Sequence, residues 1–197
     1  MGARPLLGDR QEGVRSAAGQ AEAQAMTVAG LDSSTPPTAS QAQQAAAAGV
    51  QVWGGYPPTG GEANGWSEAD FLIVRQAGME PIAFYFGVAD IQQVIAFCRT
   101  AGVRLVCFDE EGWTGGAHDS ADLSEVRAAG GLYAGLYGHP AAVHQYDGQY
   151  DFAVAADYST APGDTWPENS PVPAVPHGRQ YQGTHPEFGL GVDRGLS

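Results

Sequence analysis

A chain of 197 residues, 43% hydrophobic and 16% charged, is long enough for one domain around one core, and no composition shift past residue 30 marks a second. The formal charge is -13 and all nine basic residues are Arg, so no Lys-bearing surface tracks phosphates and nucleic-acid binding is excluded. No apolar run approaches the ~20 residues of a membrane span and no hydrophobic segment of the signal-peptide kind opens the chain, so a soluble protein without a visible export signal is expected.

Residues 1–25 are rich in Gly, Ala, Gln and charge, with apolar residues too sparse for a helix stripe, and read as a flexible tail. Met26 stands directly before the first strand-like run and offers an alternative start. From there, short apolar runs alternate with helical stretches that each end on a Gly, the grammar of βαβ units. VAGLD (28–32) is followed by the helix ASQAQQAAAAG, then VQVWGGY (50–56) as the second strand. SEADFLIVRQAG leads to MEPIAFYFG (79–87), and ADIQQVIAFCRTAG leads to VRLVCFDEE (103–111). HDSADLSEVRAAG leads to GLYAGLYG (131–138), after which DFAVAADY, HGRQYQGT and GLGVDRGL follow with little helix between them.

Eight strand candidates in series predict an α/β fold of the (β/α)8 type, a compact, helix-poor TIM-type barrel over residues 26–197. Such barrels usually need about 250 residues, so the connections near the end are expected to shrink to loops. An open doubly wound sheet is the alternative. Cys98 and Cys107 have neither CxxC spacing nor a neighbouring His and read as buried thiols. The five His residues show no zinc spacing, no P-loop, G-x-S-x-G or dinucleotide fingerprint occurs, and Gly54-Gly55 and Gly60-Gly61 read as turns. No cofactor and no metal is expected.

Active sites of parallel barrels lie at the C-terminal ends of the strands, and here those ends carry acids and aromatics. Strand one ends at Asp32, strand four at Asp109 and Glu111, strand six at Asp157 and Tyr158, and the last run holds Asp193. Asp109 and Glu111 are two apart, which puts both on one face of an extended strand. Carboxylates gathered in a partly desolvated mouth keep a proton available near neutral pH, as glycoside hydrolysis requires. A solvated acidic loop or a helix cap is the plain alternative for Asp-Glu-Glu alone, and register with the other strand ends speaks against it. Trp53, Tyr56, Tyr85, Trp113, Tyr137 and Tyr181 accompany the acids as core lids or as platforms for sugar rings. The Pro-rich run 158–178 reads as a long rim loop from which Trp166 reaches the cleft.

GLDSS, VCFDEEGW, VAADY, RQYQG and GVDRG together resemble the family 25 lysozymes among the glycoside hydrolases, and the related glycoside-hydrolase-like domains of actinobacteria and their phages. The absence of Lys with abundant Ala and Gly fits the GC-rich coding of such organisms. The resemblance covers about residues 28–197 and implies a shortened barrel that cleaves peptidoglycan between N-acetylmuramic acid and N-acetylglucosamine. Matching the family's D-x-E motif implies Glu111 as the catalytic acid and Asp109 as its anionic partner, with Asp32 and Asp193 as the first- and last-strand acids. It also implies Tyr158 and Tyr181 as cleft aromatics, beside Tyr56, Tyr85, Trp113 and Tyr137 as substrate-binding residues. FYF stands where the family has Y-H-F, and VQVWGGYPPTGG follows the glycoside-hydrolase-like branch.

The function expected is therefore a lysozyme-type glycosidase with peptidoglycan or another glycan as partner and no membrane partner. It would be made in the cytoplasm and act at the cell wall or within a phage particle. A turnover-deficient barrel that binds glycan, or that joins a virion through the Arg-bearing tail, is the second expectation. A metal-dependent hydrolase of another ester or phosphate bond is the third.

Overall fold

All eight predicted apolar runs are strands, and the sheet they form is closed by its ends. The computed structural model describes residues 29–58, 65–86, 90–109, 120–156, 175, 177–187 and 190–196, with backbone only at 86, 142, 177–187 and 191–196. The expected tail, 1–25, lies outside the described residues. In chain order the elements are β1 (Ala29–Ser33), α1 (Ala39–Ala47), β2 (Val52–Gly55), α2 (Glu68–Gln76), β3 (Glu80–Phe86), α3 (Ile91–Ala101) and β4 (Leu105–Asp109). They continue as α4 (Ser120–Ala128), β5 (Tyr133–Gly138), α5 (Pro140–His144), β6 (Phe152–Ala156), β7 (His177–Glu187) and β8 (Leu190–Leu196).

Local chemistry sets the helix ends. Thr38 and Gln41 form a reciprocal capping box at α1, with Gln41 N donating to Thr38 Oγ1 at 3.3 Å and Thr38 N to Gln41 Oε1 at 2.8 Å. Before α2, Ser67 donates both N–H and O–H to Asp70 Oδ2, and Asp90 accepts from Gln92 N at the start of α3. Gly78 after α2 and Gly102 after α3 sit at φ 89° and 65°, left-handed backbone that a side chain would strain. That is why the terminating glycines were such legible boundary marks.

β1 through β6 pair in sequence order, each parallel to the next, and form a curled α/β sheet. β7 lies parallel to β6, whereas β8 runs antiparallel to both β7 and β1 and joins the two edges. The expectation of a (β/α)8 barrel of the TIM type is thus corrected: the last strand is reversed and no helix precedes it. Only two residues separate Glu187 from Leu190, and a parallel crossover needs a dozen or more, so the strand can only return as a hairpin. Gly54 and Gly55, read as a turn, instead lie within β2.

Side chains alternate between two cores. Outward residues of the strands, among them Leu31, Trp53, Ala83, Tyr85, Val106 and Phe108, pack with Phe71, Val74, Val94 and Leu123 of the helices. Inward residues Ile82, Phe84, Cys107 and Tyr137 form a separate cluster joined by Val52, Tyr56, Leu105, Phe152 and Val154. Glycine makes this filling fit. A Cβ on Gly135 would fall 2.2 Å from Phe152 Cζ, and one on Gly54 would fall 2.1 Å from Phe84 Cε2.

Gly55 faces the other way, under a buried indole: its Cβ would lie 2.1 Å from Trp66 Cδ2, and Trp66 is held by Phe71 with ring centres 5.1 Å apart. Gly55→Ala is expected to destabilise the fold by about 1–3 kcal/mol through overpacking. Urea unfolding followed by tryptophan fluorescence measures it.

The short helix α5 was not foreseen, and a small polar cluster pins the turn after it. His144 Nδ1 lies 2.5 Å from Asp147 Oδ2, and Tyr150 donates its O–H to Asp147 Oδ1 at 2.7 Å. The Tyr150 hydrogen bond, and then His144, hold the Asp147 carboxyl below its ordinary range. A depressed carboxyl pKa contributes stability above its unfolded value and loses it as pH falls through the folded one. Asp147→Asn should therefore lower the melting temperature at neutral pH, and the difference should close as pH drops below about 4; a pH series of thermal melts checks this.

Candidate active site

The parity of β4 decides which side chains reach the mouth. Leu105, Cys107 and Asp109 point inward while Val106 and Phe108 point to the helices, so the carboxylate at the strand's C-terminal end stands at the barrel opening. Asp109 is buried, with 7% of its surface exposed. Asp32, half-buried at the end of β1, pairs in register with Gly54, whose missing side chain leaves the space beside Asp32 open to the Phe84 ring. A Cβ there would come within 3.2 Å of Asp32 Cβ.

Cys107 stands two residues before Asp109 on the same face of β4. Its thiol is fully buried and pushed well above its ordinary value, first by burial, then by Asp109, then by Asp32. Carboxylates of β1 and β4 thus both oppose its ionisation. Asp193 joins this region through backbone register, its Cα paired with that of Asp32 across β1 and β8.

Aromatic rings wall the opening. Phe84 lies between Tyr56 and Tyr137, with ring centres 5.7 Å and 5.8 Å away, the second contact edge-to-face at 83°. Tyr137 is the register partner of Asp109, so it flanks that carboxylate on the next strand. Of the expected substrate-binding residues, Tyr56 and Tyr137 lie on the inward side of the sheet, Tyr56 half-buried and Tyr137 buried in the inner cluster.

Tyr85 is a correction. It sits on the helix-facing side of β3, fully buried, with its hydroxyl 3.6 Å from Cys98 Sγ. Register explains this: Phe86 pairs with Asp109, so inward positions on β3 are the even ones. Trp53 likewise faces the helices and donates its indole N–H to Ser33 Oγ at 3.1 Å. Glu111, Trp113, Tyr158, Asp157 and Trp166 lie outside the described residues. Tyr181 falls on β7 where the pairing with β8 shifts register between Gln180 and Gln182.

The sequence reads Cys107 as a buried thiol, which it is, but does not place it, Phe84 or Gly54 next to the acids. The signal was present, since stepping back two residues from Asp109 gives Cys107, and the same parity carried across the sheet gives Phe84.

No protein-family model matches the chain, and neither does any curated protein. Among solved structures, it is similar to the catalytic domain of the endolysin ply40 from bacteriophage P40 of Listeria monocytogenes. That pair is 17% identical with a TM-score of 0.55, over 87% of this chain and 93% of that one. A muramidase from Acremonium alcalophilum aligns at 15% identity and a TM-score of 0.51, over 84% of this chain and 92% of its own. What is shared is the fold.

Both thiols should be chemically silent in the folded protein, because burial pushes Cys98 up to about 11 and pushes Cys107 well above the ordinary thiol value. DTNB at pH 8 is expected to titrate no thiol in the native chain and both after denaturation. A native thiol reacting at the rate of the unfolded chain would contradict the filled interior.

Proposed function

We propose that this chain is a lysozyme-type glycosidase that cleaves the glycan strands of peptidoglycan, with N-acetylmuramidase specificity. The observation that carries this reading is the placement of Asp109, buried at the C-terminal end of β4, and of Asp32, near the end of β1, on the inward side of the sheet that also holds Tyr56, Phe84 and Tyr137. Support comes from the two proteins of like fold, one named an endolysin catalytic domain and the other a muramidase.

In this reading Glu111, two residues beyond Asp109, donates a proton to the leaving glycosidic oxygen as the bond to the anomeric carbon breaks. Positive charge then develops on the ring carbon and oxygen. Asp109 stabilises it, or aligns the substrate N-acetyl group to do so, and water supplies the hydroxyl that completes hydrolysis. The apolar floor below Asp109 strengthens this interaction by excluding water from one side. Asp32 and Asp193 bind sugar hydroxyls, and Tyr56 and Tyr137 lie against the apolar faces of the rings.

A second reading, a barrel that binds glycan without turnover, is favoured by Phe84, a ring with no hydroxyl at the inward position of β3. One assay separates the two. Purified chain is expected to release reducing ends from peptidoglycan, and Glu111→Gln and Asp109→Asn should each lower the rate by about 10²–10⁴-fold while retaining binding. An unchanged rate in Glu111→Gln overturns the assignment of the acid. Binding by the unaltered chain without release of reducing ends selects the second reading.

A further inference from the structure

We propose a second glycan-binding site on the end of the barrel opposite the mouth, built on Tyr133. Its ligand is the polymer assigned to the mouth, so its identity rests on that reading. Tyr133 opens β5 at the N-terminal end of the strands and leaves 49% of its surface to solvent. A half-exposed phenol adds little to a core and leaves a flat ring face open to a ligand.

The ring borders a shallow open groove whose other walls are Ser124, Arg127, Ala128, Leu132 and Asp151. Arg127 is held in place by Asp151 at 3.1 Å and by the carbonyls of Gly148 and Gln149 at 3.4 Å and 3.2 Å. Asp151 in turn accepts from Ala134 N at 3.0 Å. On the other side, Tyr133 N donates to Arg104 O at 2.9 Å, and the Arg104 guanidinium is clamped to both Glu80 oxygens at 3.1 Å. An exposed ring thus stands between two fixed arginine–carboxylate pairs.

That chemistry selects a class of ligand. Each arginine is already neutralised by an acid, so the surface carries little net charge and does not favour a phosphate or an acidic peptide. Its charged rim disfavours an apolar helix. A flat ring beside planar donors and acceptors in fixed positions suits a pyranose, which stacks its C–H face on tyrosine and offers hydroxyls to the polar rim. The site would anchor the chain on an insoluble polymer while the mouth works.

The test compares the full-length chain with Tyr133→Ala in two measurements. One is cold sedimentation with purified, insoluble peptidoglycan, and the other is release of reducing ends from a soluble peptidoglycan tetrasaccharide. Tyr133→Ala is expected to raise the Kd for the insoluble polymer about fivefold or more, with the soluble turnover and the melting temperature unchanged. Tyr133→Trp should retain tight binding. Leu72→Ala, which removes an exposed hydrophobic side chain of α2 (46% exposed), should match the unaltered chain. Equal sedimentation of Tyr133→Ala and the unaltered chain, or no sedimentation of either, overturns the second site. Soluble turnover absent from the unaltered chain, with Tyr133-dependent sedimentation intact, overturns the hydrolase reading and leaves the second site standing.

Discussion

The narrow interior of a closed eight-strand sheet is the constraint on which the candidate site depends. Such a ring is just wide enough for side chains to fill it, and every second residue of every strand must share that space. Inward positions such as Gly54 and Gly135 are therefore glycine, and the rings of Phe84 and Phe152 occupy the space their Cβ atoms would take. With Ile82, Leu105 and Val154 beside them, the interior becomes a packed floor rather than a channel. Carboxylates have no room below this floor, so Asp32 and Asp109 stand at its rim.

The floor also sets the electrostatics of the rim. Cys107 lies directly beneath the acids, and its thiol stays protonated at neutral pH because burial and both carboxylates oppose its ionisation. A neutral thiol adds no repulsion to the acids above it. It also leaves Asp109, itself buried, in low-dielectric surroundings, where a contact counts for more than it would in water.

How legible was this in the sequence? Helices and strands were readable because terminating glycines such as Gly78 and Gly102 and caps such as Thr38 are local chemistry. Asp32 and Asp109 were readable because each ends an apolar run, and in parallel strands the ends lie together. Direction of β8 was misread because GLGVDRGL has the same alternation whichever way it runs; only the shortness of the link after β7 reveals it. Tyr85 was misplaced because proximity to a strand end was weighed without parity, whereas its neighbour Phe84 holds the inward position. Helix α5 spans Pro140–His144 and is too short for a periodic pattern to register. The clearance at Gly54 depends on a ring from the next strand, a relation that no single segment contains.

Charge narrows the way this chain could hold the glycan proposed as its substrate. At -13, with every basic residue an Arg, it has no long-range attraction to a polymer of the same sign. Arg104 and Arg127 are spent on Glu80 and Asp151, and Arg99 donates to the Ala129 carbonyl, so these cations serve the fold before they serve a ligand. Screening at physiological salt confines what remains to about 8 Å. Recognition must then be made at contact range, by rings against sugar faces and by acids that accept from hydroxyls. The described residues supply both at the mouth, in Tyr56, Tyr137, Asp32 and Asp109, which makes an acidic, aromatic opening compatible with an acidic polymer.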